Sequence, residues 1–233
     1  MTVALTFDDG PDPVWTPRVL AALATAGARA TFFVMGARAA RHPDVVRAVL
    51  AAGHDVQLHC HHHVRHTLLD RAALDADTDR ALATLLPLGV RPTRWRVPWG
   101  VLGRDTEAVA DERGLELVHW SADTEDWDGA PAATQLTRIA DALRPGAIVL
   151  AHDGVGPGAL RDGCAETVAL IAPLVAAVRA LGLDPGPLPP PPPLSAHEPR
   201  TGRSPWALSA SFGAGSGAGS GAGSGAVTGA RAC

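Results

Sequence analysis

Short apolar runs alternate along most of this chain with segments in which apolar residues recur every three to four positions. The runs at 3–7, 30–35, 55–58, 93–97, 116–120 and 147–152 have the length and the bounding turn residues of buried strands. The segments 17–26, 43–52, 71–86, 106–113, 133–143 and 164–180 carry helical spacing. Thr16, Pro17 and Gly27 predict an N-cap, a first-position proline and a C-terminal stop for the first helix, and Gly53 closes the second. Strands alternating with helices predict an α/β fold whose parallel sheet of six to seven strands is open or closed into a barrel. A last stretch, 182–185, holds Pro185 where ladder donors are needed, so it predicts at most an edge strand.

The alternation stops a few residues after Leu181. Pro189 to Pro193 form an unbroken run, a polar stretch follows, and Gly-Ala-Gly-Ser repeats fill 213–224. Proline runs are extended and Gly/Ser repeats flexible, and neither buries a core. The expected organisation is a folded domain over 1–187 and a disordered tail or linker over 188–233.

Composition excludes several functions. The formal net charge is −4, without the basic excess that nucleic acid binding requires. All 20 basic residues are arginine, which rules out a Schiff-base lysine and a Walker-type phosphate lysine. Three cysteines, Cys60, Cys164 and Cys233, match neither a zinc spacing nor a disulfide framework. No apolar run reaches membrane-spanning length and no signal peptide is visible. The expectation is a cytoplasmic monomer without membrane or nucleic acid partners, or a secreted one if an export segment has been removed.

In α/β folds of this kind chemistry collects at the C-terminal strand ends, and five polar segments fall there. Thr6-Phe7-Asp8-Asp9-Gly10-Pro11 puts two carboxylates at the end of the first strand. They should point to different sides, one free to bind a metal and one to handle protons; alone the segment also reads as a plain turn. Five histidines lie between His59 and His66. His59 and His63 are four apart and would face one way on a helical turn, but His62 and His66 share that spacing. Two histidines and a carboxylate suit an open hydrolytic zinc site, which Asp9 would complete. Arg96-Val97-Pro98-Trp99 offers an arginine able to hold a carboxylate through a fork and a Trp99 N–H free to meet an oxyanion. In Asp123-Thr124-Glu125-Asp126-Trp127, Asp126 could orient an imidazole and Trp127 could wall a methyl group. Leu150-Ala151-His152 ends an apolar strand in a histidine suited to general acid chemistry near neutrality. Taken singly, an acidic loop, a surface arginine and a strand-ending histidine are all ordinary structural features.

Together and in this order, the five segments resemble the polysaccharide deacetylases of the NodB-homology type, carbohydrate esterase family four. That family's motifs run T-F-D-D-G-P, H-[ST]-x-x-H, R-x-P-[aromatic], D-[ST]-x-D-W and L-x-H, and the likeness covers about residues 2–182. The resemblance implies a distorted (β/α) barrel and a metal-dependent amide hydrolase. It makes Asp8 the catalytic base and Arg96 the residue that holds it. Asp9, His59 and His63 become ligands of one divalent ion, Zn²⁺, with Co²⁺, Ni²⁺ or Mn²⁺ as alternatives. Trp99 becomes the oxyanion donor, His152 the general acid and Asp126 its support. Trp127 and Leu150 become walls of the acetyl pocket. Cys60 departs from the usual Ser or Thr, Leu58 from a small polar residue, and Trp99 from Tyr.

The implied reaction is N-deacetylation of an acetamido sugar or oligosaccharide, of chitin-oligosaccharide or peptidoglycan type, with release of acetate. The alternative is a related deacylase acting on an O-acetyl ester, formamide, imide or biosynthetic intermediate. A binding module with a dead site is disfavoured by the full catalytic set.

Overall fold

The computed structural model describes residues 1–190. Its strands are β1 (Thr2–Asp8), β2 (Thr31–Met35), β3 (Asp55–Cys60), β4 (Arg94–Trp95), β5 (Glu116–Leu117), β6 (Ala122–Asp123), β7 (Ile148–His152) and β8 (Asp184–Gly186). Between them run α1 (Trp15–Ala26), α2 (Gly36–Arg41), α3 (Pro43–Ala51), α4 (Arg71–Leu85), α5 (Thr106–Glu112), α6 (Ala132–Ile139) and α7 (Ala165–Ala180). Every strand pair is parallel, in the order β5-β4-β3-β2-β1-β7-β6. β8 pairs with Thr2–Ala4 of β1, and β2 with the next stretch, Thr6 to Asp8. Pro185 therefore does enter the sheet, at a three-residue strand beside the start of β1.

The curled sheet carries helices outside and is left unpaired between its two end strands, β5 and β6. One strand over 116–120 was expected. Instead the chain changes partners there: the Val118 N–H donates to Trp95 O and the Ser121 N–H to Ile148 O. Residues 118–121 thus cross the gap between the β4 and β7 sides without a ladder, and β6 begins only afterwards. The first helix also differs from expectation. Thr16 is not its cap; Asp12 accepts from the Val14 and Trp15 N–H groups, both at 2.8 Å. Pro17 lies inside the first turn, where no intrahelical bond is lost. Gly27, at φ 62°, closes α1 as predicted.

β1 shows why its sequence runs apolar with little alternation: both faces are covered. Val3, Leu5 and Phe7 join the main core under the helices, whereas Ala4, Thr6 and Asp8 face the barrel interior. At the floor of the barrel Ala4, Phe33, Val118 and Ile148 pack around Leu188. Leu188 is 7% exposed, and its N–H donates to Thr31 Oγ1 at 3.0 Å. Pro189 O accepts from Arg94. The chain is therefore still packed against the barrel at Leu188, one residue past the boundary expected at 187/188. Most of the expected tail, 191–233, lies outside the described residues. Among the described residues no helix is long and apolar enough to cross a membrane.

Leu188→Ala is expected to lower the unfolding free energy by about 2 kcal/mol, the low end for a buried leucine. A chain ending after Pro190 should keep the urea midpoint of the full-length protein, while one ending after Gly186 should lose as much as Leu188→Ala. Equal midpoints for both truncations would show that the packing of Leu188 contributes nothing.

Candidate active site

The C-terminal ends of β1, β3, β4, β6 and β7 converge on one rim, and each delivers a polar side chain. Register makes Asp8 of β1 the direct neighbour of His152 of β7. Asp9 follows with φ 72°, Trp99 has φ 54° and Glu125 φ 51°. Among the described residues these are the non-glycine residues with positive φ, and all three lie in the rim loops. Such conformations cost about 1–3 kcal/mol each and persist where the surroundings dictate them. At Asp9 the turn explains the paired carboxylates: Asp8 stays on the strand's inner face while Asp9 is swung away from it.

Arg96 is a fully buried charge of the site, at 0% exposure, as Asp126 is. Its Nη1 donates to Asp8 Oδ1 at 2.9 Å and to Thr6 Oγ1 at 2.7 Å. Its Nη2 donates to His119 O at 3.1 Å, and its plane lies 4.3 Å over the Phe33 ring. The expected forked grip on a carboxylate is thus replaced by a single contact, because the carbonyls of the 118–119 crossing occupy the second prong. The Arg96 carbonyl in turn accepts from His59 Nδ1 at 2.6 Å.

That bond turns the His59 Nε2 lone pair toward Asp9 Oδ1, 3.4 Å away; His63 Nε2 stands 3.3 Å from the same oxygen. Asp9 Oδ1 and His59 Nε2 are buried without a hydrogen-bond partner. Ligand atoms of Asp9, His59 and His63 all lie within 4.8 Å of one another. Acceptors converging in a dry cluster fit a divalent cation. The electrostatics agree. Burial pulls the His59 pKa down, but the adjoining Asp9 carboxylate and the Asp8 charge outweigh it, a field that attracts cations. Burial and the neighbouring His59 lower His63 to about 4, which keeps it a neutral donor. Burial opposes ionisation of Asp9, yet His59, His152 and His63 hold it well below the usual carboxylate range.

The four-residue spacing of the two histidines acts differently from the expected helical turn. His59 belongs to β3, and the chain bends across His61 and His62 to bring His63 back. Asp77 of α4 holds that bend by accepting from the His61 and His62 N–H groups at 2.8 and 2.9 Å. The alternative pair is separated: His62 is exposed, and His66 is buried against Trp95 with Nδ1 on Thr106 Oγ1.

On the opposite side Asp126 Oδ1 accepts from His152 Nδ1 at 2.7 Å, and Asp126 Oδ2 from the His152 N–H at 3.0 Å. Burial lowers the His152 pKa, but the charge and hydrogen bond of Asp126, with Asp9 and Asp8, raise it to about 9. Burial likewise opposes ionisation of Asp126, but His152, Arg161 and Thr167 bring it to about 2. Leu150 lies buried one ladder step below His152, and Trp127 stands at the rim, 39% exposed. The Trp99 N–H takes no part in its turn, whose bonds come from Gly100 and Val101. The Trp99 ring packs edge-on to His63, at 4.2 Å between centroids.

The family model described as polysaccharide deacetylase matches residues 1–118. A chitooligosaccharide deacetylase of Bradyrhizobium sp. (strain ANU 289) is 36% identical over 197 residues, 81% of this chain and 89% of that protein. This chain belongs to the polysaccharide deacetylase family. The family is one of hydrolases, and it is metal-dependent. The fold agrees: a family 4 carbohydrate esterase from Streptomyces lividans, solved with acetate, superimposes with a TM-score of 0.72 at 32% identity, covering 79% of this chain and 91% of that one. A peptidoglycan-N-acetylglucosamine deacetylase of Listeria monocytogenes is 36% identical over 155 residues, 65% of this chain and 32% of that protein.

In this deacetylase-family chain the motif residues assemble with several partners that the sequence reading missed. Thr6 stood inside the first motif without a role. Asp153, next to His152, accepts from the Gly10 N–H and from Thr16 Oγ1, and so pins the loop after Asp9. Asp77, Arg161 and Thr167 lie in segments that no motif marks, and only the folded chain brings them to the rim. His59→Ala and His63→Ala are each expected to abolish stoichiometric Zn²⁺ binding in calorimetry, whereas His62→Ala should bind as the unaltered protein does. Loss of binding in His62→Ala would move the metal to the other histidine pair.

Proposed function

We propose that this protein hydrolyses the N-acetyl group of acetamido sugars, of the chitin-oligosaccharide type, to acetate and a free amine. The observation that carries the reading is the juxtaposition of two charged pairs on neighbouring strands, Asp8 with Arg96 and His152 with Asp126, beside the Asp9–His59–His63 cluster. The names of the Bradyrhizobium and Listeria relatives support the sugar substrate.

One Zn²⁺ held by Asp9, His59 and His63 would supply Lewis-acid polarisation of the acetyl carbonyl and activation of water. Asp8 accepts the proton of the attacking water, and Arg96, itself held by Thr6, fixes its carboxylate for that transfer. The Trp99 N–H donates to the oxygen as it gains charge. Asp126 binds His152 Nδ1–H, so the proton on Nε2 is the one available to the leaving nitrogen. As the C–N bond breaks, that proton passes to the amine, and the carbonyl carbon keeps the new oxygen. Trp127 and Leu150 enclose the acetyl methyl group.

Acetate release from N-acetylglucosamine oligomers, lost on chelation and restored by Zn²⁺, is the expected outcome. Release from an O-acetylated xylan alone would instead assign an esterase. Asp8→Asn should keep its metal and turn over at least ~100-fold more slowly, the lower range for loss of a general base. Near-normal turnover would place the base elsewhere.

The pH dependence follows from His152. An acid must be protonated to donate, and the protonated fraction falls above its pKa. Turnover should therefore decline as pH rises through about 9. A turnover number still level well above that pH would exclude His152 as the donor.

A further inference from the structure

Asp126 Oδ2 is crowded with donors. Besides the His152 N–H it accepts from Arg161 Nη1 at 2.8 Å and from Thr167 Oγ1 at 2.5 Å. Arg161 does more than share this oxygen. Its Nη2 donates to His152 O at 3.2 Å and to Gly154 O at 3.4 Å. One guanidinium therefore grips both the carboxylate that binds the imidazole and the main chain that carries it. The Arg161 side chain is 5% exposed and Thr167 is fully buried. Arg161 follows the loop that leaves β7, and Thr167 lies in the first turn of α7, so the clamp joins three segments around one histidine.

The physical consequence concerns direction. A carboxylate held only by His152 could rotate about its Cβ–Cγ bond and swing the ring with it. With Oδ2 fixed by two side-chain donors on its far side, Oδ1 has one position, and the Nδ1–H bond then sets the plane of the imidazole. Arginine suits this task because its rigid planar fork holds donors in fixed directions toward a carboxylate and carbonyls at once, whereas the donors of an ammonium rotate. Burial strengthens each of these bonds, and it also makes the loss of any one costly.

We propose that Arg161, aided by Thr167, is a positioning residue of the hydrolytic reaction, locking Asp126 so that His152 presents Nε2–H to the leaving nitrogen. The inference rests on the reading of His152 as proton donor given above. It implies a selective defect. An amine leaves only with a proton, whereas 4-nitrophenolate leaves from 4-nitrophenyl acetate without one.

The test compares Arg161→Met and Thr167→Val with the unaltered full-length protein, using N-acetylglucosamine oligomers and 4-nitrophenyl acetate as substrates. Arg161→Met should lose at least ~10-fold in turnover on the amide, part of the ~10²–10⁴-fold that general acid catalysis contributes, and stay within about twofold on the aryl ester. Thr167→Val, which keeps shape and removes one donor, should show the same selectivity with a smaller loss. Zn²⁺ content should be unchanged in both, and the low-field proton resonance of His152 Nδ1–H should broaden or vanish in Arg161→Met. Equal losses on both substrates, or an unaffected amide rate, would overturn the inference and leave Arg161 a structural residue. His152→Ala in the same assays separates the two levels. If it is selective for the amide and the Arg161 and Thr167 variants are not, only the clamp falls. If it too loses both rates equally, the proton-donor reading falls and takes the clamp with it.

Discussion

The site depends on one buried ion pair. Arg96 sits inside the barrel at 0% exposure, and a guanidinium there is tolerable only if every face finds a partner. Asp8, Thr6 and His119 O take its N–H groups, and Phe33 takes its plane. Leaving such a pair half-made costs about 3–5 kcal/mol, so the surrounding strands have little freedom to shift. The same residue reaches the Asp9–His59–His63 cluster through its backbone, since its carbonyl accepts from His59 Nδ1. Asp8 and His59 are therefore set by one residue, and their spacing follows from the short β4 strand that delivers it.

The barrel distortion serves this pair. Because 118–121 crosses the gap between β5 and β6 without laddering, the His119 carbonyl remains available to Arg96. A regular strand would have committed its carbonyls to a neighbour. Below, Phe33 belongs both to the floor cluster with Leu188 and to the stack on Arg96. The C-terminal end of the folded unit thus supports the catalytic rim from underneath through a single aromatic ring. On the other side of the rim Asp126 plays the role that Arg96 plays for Asp8: a buried charge of opposite sign that fixes a titratable side chain, His152.

Much of this was legible in the chain. The longer strands and helices appeared within a few residues of their bounds, because buried parallel strands are continuous apolar runs and amphipathic helices keep their period. The five polar segments marked the rim because each sits where a strand ends. What misled the reading was local. The spacing of His59 and His63 suggested a helical turn, yet a strand end followed by a bend meets the same four-residue separation. Thr16 looked like a cap because its neighbours fit one, but its hydroxyl is taken by Asp153, 137 residues away. The two-residue strand β6 left no periodic signal at all, and β5 is only the start of the run that read as a strand over 116–120.

The sequence by itself determined the element order, the candidate ligands and the candidate base and acid, since these depend on residue type and on position relative to strand ends. Only the tertiary structure decided which histidine pair converges on Asp9, that Leu188 belongs to the barrel, and that Asp77, Asp153, Arg161 and Thr167 brace the motif residues. The reason is physical. Periodicity and turn chemistry act over a few residues and are written locally, whereas a buried hydrogen bond takes its partner from whatever the closed sheet brings within about 3 Å, regardless of separation along the chain.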